Sequence, residues 1–164
     1  MSTPPRGKLL VVLANPPLSS GIRTLRRTEM AAELLGFSHV SVVNLFALPS
    51  HATGEIAALG VEEAGWLKAR GDLGPGISAA DGVLLAYGAT APTGPARGHF
   101  RDQVEWVRER IAAEDLPVWH VGDGPRHPSR WQRWTSRAHP GVPFAEALQS
   151  SLALVCPVSV GAPD

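Results

Sequence analysis

KLLVVLANPP, residues 8–17, decides the fold. The apolar run from Leu9 to Ala14 is too short for an ordinary helix, and Asn15-Pro16-Pro17 stops it, so Lys8 to Ala14 reads as a strand buried on both faces. Three runs of the same kind recur downstream: His39 to Asn44, Gly82 to Tyr87 and Leu116 to Val121. Helical patterns lie between them. Ile22 to Leu35 groups Ile22, Leu25, Ala32 and Leu35 near one face and ends at Gly36. Val61 to Arg70 is stopped by Gly71, and Phe100 to Ala113 carries Val104, Val107 and Ile111 at i, i+3 and i+7. A last helix is expected from Pro143 through Phe144, Ala147, Leu148 and Leu152. The alternation βαβαβαβ predicts an α/β fold with a parallel sheet and helices on both faces.

The 164 residues allow one domain, expected over 8–157, with flexible tails at 1–7 and 158–164. Fifteen basic residues balance fifteen acidic ones, which excludes capture of nucleic acid by overall charge. The single cysteine, Cys156, excludes an internal disulfide, a four-thiolate zinc site and an iron–sulfur cluster within one chain. There is no HExxH, no paired carboxylate motif, no GxGxxG after a strand and no GxxxxGK[ST], so no metal or other cofactor is expected. The chain has no apolar run near 18 residues and no signal-like start, which reads as a soluble, cytoplasmic protein with no membrane partner; its oligomeric state is left open.

In a parallel α/β sheet, ligands bind beyond the carboxyl ends of the strands. Asn15 follows the first strand, Asn44 closes the second, and His127 lies in the loop after the fourth. A terminal amide offers one acceptor and two donors, enough for Asn44 to read a base edge. Asn15, stiffened by two prolines, can orient a water or a ligand carbonyl but cannot act as a general base. His127, stiffened by Pro128, can donate to an oxygen on which negative charge develops, and Ser129 and Arg130 can continue into phosphate contacts. Taken singly, each feature also has an ordinary structural reading as a turn, a strand end or a helix start. Residues 126–139, RHPSRWQRWTSRAH, hold four arginines and no acid, leaving a net −4 on the other 150 residues. Basic groups interleaved with Trp131 and Trp134 suit single-stranded nucleic acid; the competing reading is an amphipathic helix that buries both tryptophans.

Between Leu9 and about Trp131 the pieces LLVVLANPPLSS, TLRR, VSVVNLFAL and GPRHPSR resemble a bacterial family known only as domain of unknown function 1643. More distantly, Ala14-Asn15-Pro16, Ser41-Val42-Val43-Asn44, Leu84-Leu85-Ala86-Tyr87-Gly88-Ala89 and His127-Pro128-Ser129 resemble, in order, the blocks of the uracil-DNA glycosylase superfamily. Together with the βα alternation this implies a three-layer αβα fold around a four-stranded parallel sheet ordered 2-1-3-4. The resemblance also implies catalytic roles: Asn15 would position the attacking water and His127 would stabilise the departing base. Asn44 would bind the base, with Pro16 and Phe46 beside it, while Ser129, Arg130 and Arg133 would contact phosphate. The implied function is nucleobase binding with hydrolysis of an N-glycosidic bond, on a single-stranded or flipped nucleotide or a free nucleotide. The alternative is a non-enzymatic binding module on the same fold.

Overall fold

The computed structural model describes residues 6–155. The expected tail at 158–164, the end of the expected domain and Cys156 therefore lie outside the described residues. Five strands form one mixed sheet in the order β2-β1-β3-β4-β5. The strands are β1 (Arg6–Leu13), β2 (Phe37–Asn44), β3 (Gly82–Leu85), β4 (Val118–Val121) and β5 (Leu152–Leu154). β1 is central and pairs in parallel with β2 on one side and β3 on the other, and β3 pairs in parallel with β4. Arg6 and Gly7, expected in the tail, begin β1.

Alternation along β1 divides the core. Leu10, Val12 and Ala14 feed one cluster with residues of α2 (Ile56–Leu59), α3 (Ala64–Ala79) and α4 (Ala96–Ala113). Leu9, Val11 and Leu13 feed the other with residues of α1 (Ile22–Leu34), α5 (Pro128–Ala138) and α6 (Phe144–Ser151). Leu9 to Val12 have no solvent exposure at all, as expected of a strand covered on both faces.

Four sequence expectations need correction. The sheet has a fifth strand, antiparallel to β4 through Trp119↔Leu154 and His120↔Ala153. The last helix stops at Ser151, whose Oγ donates to the Ala147 carbonyl, and Leu152 turns extended to pair with what would otherwise be an open sheet edge. The second major helix, expected to end at Gly71, runs to Ala79 through Gly71, Gly74, Pro75 and Gly76. Its buried residues Trp66, Ala69, Leu73 and Ile77 hold a helical period, so packing overrides poor propensity. Gly76 assists, because a Cβ there would press on Leu10 and Val43. α4 starts at Ala96, a turn earlier than expected. By contrast α1 ends as read, with Gly36 at φ +83° past its C-cap Leu35.

Gly122 closes β4 at φ +72°, and a Cβ there would lie 2.5 Å from the Trp134 ring. Gly141, at φ +77°, faces open space. Gly122→Ala should therefore lose about 2 kcal/mol or more in urea unfolding while Gly141→Ala loses about 1 kcal/mol, since only the first adds overlap to left-handed strain. Equal losses would show that Trp134 yields freely.

Candidate functional site

At the carboxyl ends of β1 to β4 a cleft of about 1200 Å³ opens, lined by Asn15, Pro16, Asn44, His127, Ser129, Arg130 and Arg133 among others. Seven of the eight residues expected at the site thus meet in one cavity. Phe46 does not: it is fully buried in the core, its ring 4.7 Å from Trp66, because the chain bends after β2 ends at Asn44 and turns both Leu45 and Phe46 into the α3-side cluster.

Asn15 is held by a contact that the sequence did not announce. Its Nδ2 donates to the Leu48 carbonyl at 2.9 Å and to Ser50 Oγ at 2.8 Å, and Ser50 Oγ in turn donates to the Ala52 carbonyl. Backbone bonds Ser50 N–H to Pro16 O and Leu18 N–H to Ser50 O sew the two loops together. With both amide protons spent, Oδ1 is the group left to accept a hydrogen bond. Asn15 is therefore an oriented acceptor. Asn44 sits at the end of β2 with its Oδ1 shielded and without a partner. A lone buried acceptor is costly, on the order of 1 to 3 kcal/mol, and a rotation about χ2 would offer it to a donor in the cleft.

His127 caps α5. Its Nδ1 accepts from the Ser129 backbone N–H at 3.1 Å and lies 2.9 Å from Ser129 Oγ, so the neutral ring carries its proton on Nε2. Burial first, then the Arg130 and Arg27 guanidinia, push its pKa below the ordinary histidine value of 6.5. The site thus holds a neutral N–H donor. Arg27 of α1 was not foreseen: it donates to the Pro128 carbonyl at 2.6 Å and to Gln132 Oε1 at 3.2 Å, and its guanidinium lies 5.7 Å from the Phe144 ring centre. It ties α1 to the start of α5 across 101 residues. No pattern within either segment marks this pair.

The cleft is cationic. Arg23, Arg126, Arg130, Arg133 and Arg137 line it, and no Asp or Glu does. Arg126 is paired with Asp123 at 2.9 Å, and that contact holds the Asp123 carboxyl below its usual range. Glu55, on the nearby turn, accepts backbone N–H bonds from His51 and Ala52, which lower its pKa. The first turn of α1 borders the cleft with no side-chain cap and no acidic residue. Within residues 126–139, Pro128–Ala138 form the amphipathic helix α5, with His127 as its N-cap. Trp131 is fully buried, its Nε1 donating to the Arg126 carbonyl, and Trp134 packs on Gly122 under the Arg126 guanidinium. Among the described residues no group of three or more His, Cys, Asp or Glu is placed to hold a metal ion. Among them, too, no helix is long and apolar enough to cross a membrane.

Two outcomes follow from these contacts. Ser50→Ala should cost about 1 kcal/mol in urea unfolding and speed exchange of the Asn15 side-chain amide protons by NMR; unchanged exchange would contradict the orientation given to Asn15. Because His127 is a base whose pKa is depressed by folding, its contribution to stability is present above pH 6.5 and is lost as pH falls through the folded value. His127→Asn, which keeps a capping side chain but cannot titrate, should lose less stability than the parent between pH 7.5 and pH 5. An equal loss would mean that His127 does not titrate as stated. No family model, no curated protein and no solved structure matches the chain, and a functional reading rests on the cleft itself.

Proposed function

We propose that the cleft binds a nucleobase-bearing phosphate ligand and hydrolyses its N-glycosidic bond, on an αβα scaffold of the uracil-DNA glycosylase kind. The observation that carries this reading is the meeting of Asn15, Asn44 and His127 in one arginine-lined cavity at the carboxyl edge of the sheet. Asn44 pairs with the edge of the base. Asn15 Oδ1 accepts a hydrogen bond from one O–H of a water whose lone pair faces the anomeric carbon of the sugar. The C–N bond breaks with its electrons passing to the base, and the neutral His127 Nε2–H donates to the base oxygen where that charge gathers. Water closes the bond at carbon and releases its proton to solvent. Ser129, Arg130 and Arg133 hold phosphate.

The acid-free lining favours a second reading, a binding module without turnover. No carboxylate stands by to take the proton of the attacking water, and general-base help is worth roughly 10² to 10⁴ in rate. Catalysis by this cleft is accordingly slow and insensitive to a carboxylate titration.

The test is release of free base from nucleotides, nucleosides and single strands carrying uracil, hypoxanthine or other bases. Asn15→Ala should lower turnover about 10-fold or more with little change in ligand affinity, Asn44→Ala should weaken binding, and His127→Ala should lower turnover. Release that survives unchanged in Asn15→Ala would remove the assigned chemistry. Clear base binding at Asn44 without release from any substrate would establish the binding module instead.

A further inference from the structure

We infer that the ligand of this cleft carries a chain of two or three phosphates, as a nucleoside di- or triphosphate does, and is not a nucleic-acid strand. The inference deepens the nucleobase reading and rests on it for the nucleoside part alone. Its first support is charge. Arg23, Arg130, Arg133 and Arg137 line the cleft and, among the described residues, make no ion pair and donate no side-chain hydrogen bond. A single phosphate engages one or two guanidiniums through paired N–H donors and leaves the others of the same cleft without an anionic partner. More anionic groups are needed to balance the set.

Geometry gives the second support. Arg130, Arg133 and Arg137 stand at i, i+3 and i+7 of α5, so their Cα atoms follow one face over about 10 Å of helix axis. Arg23 comes from another element, α1, and lines the same cavity. Cations from two elements therefore line a cleft of about 1200 Å³, large enough for a nucleotide with its phosphates.

The third support concerns what the cleft lacks. Proteins that hold single strands pair a basic track with open aromatic faces on which successive bases stack. Here Trp131 has no exposure and Tyr87 is buried, while Trp134, half-buried in the cleft wall, packs against Gly122 with the Arg126 guanidinium 5.7 Å from its ring centre. The aromatic half of the strand-binding pattern is reduced to one partly covered ring, too few for successive bases, whereas the phosphate-binding half remains available.

Calorimetry in magnesium-free buffer at fixed ionic strength tests this with inorganic phosphate, inorganic tripolyphosphate, uridine and adenosine mono- and triphosphates, and a single-stranded decanucleotide. Tripolyphosphate should bind about 10-fold or more tightly than phosphate, and each triphosphate about 10-fold or more tightly than its monophosphate. The double variant Arg133→Gln/Arg137→Gln should shrink both gaps to about threefold or less, with circular dichroism confirming the fold. Equal binding of mono- and triphosphates, no binding of tripolyphosphate, or a decanucleotide about 10-fold tighter than either triphosphate would overturn the inference. Triphosphates no tighter than tripolyphosphate would leave it standing and remove the nucleobase reading instead.

Discussion

The burial of β1 on both faces is the constraint from which the rest follows. With Leu9 to Val12 closed to solvent and parallel partners on either side, this strand cannot shift register without exposing one of two core clusters. Its carboxyl end is thereby fixed, and with it Asn15. The register pair Leu13↔Asn44 sets the second asparagine beside the same edge. The loop after β3 joins them through Gly88 N–H, which donates to the Pro125 carbonyl at 2.6 Å and so links it to the loop that carries His127.

Polar contacts then decide how each group faces the cleft. Asn15 gives both amide protons to the loop after β2 and keeps an acceptor. His127 spends Nδ1 on the first turn of α5 and keeps a donor. One residue thus ends a loop, starts a helix and fixes its own tautomer. A protonated ring would carry hydrogen on Nδ1 and lose the Ser129 bond, so the cap and the neighbouring guanidiniums favour the same neutral state.

A neutral chain can still hold a strongly polarised cavity. The nearby carboxylates are turned to local work, Glu55 on backbone N–H groups and Asp123 on Arg126. Their removal from the cleft leaves the arginines of α1 and α5 without local opposition. Such a field acts over short range, since salt screens exposed charges beyond about 8 Å.

The sequence by itself determined the α/β alternation and the loops that line the cleft, and the resemblance added the order of the first four strands. Short apolar runs, Asn15-Pro16 and His127-Pro128 are local signals that chain spacing exposes. It also showed the charge segregated in residues 126–139. Only the tertiary structure showed how that segment packs, with Trp131 fully buried and Trp134 half-buried, because their partners lie far along the chain. The same holds for Phe46, which the bend after β2 turns against Trp66 of α3, and for α3 itself, which runs past Gly71 because Leu73 and Ile77 are buried and Gly76 fits against Leu10 and Val43. Ser50 beneath Asn15, Arg27 beneath Pro128 and the antiparallel β5 are contacts across the fold. No local pattern encodes them, since each partner alone is an ordinary serine, arginine or apolar triplet, and only folding brings its counterpart within hydrogen-bonding distance.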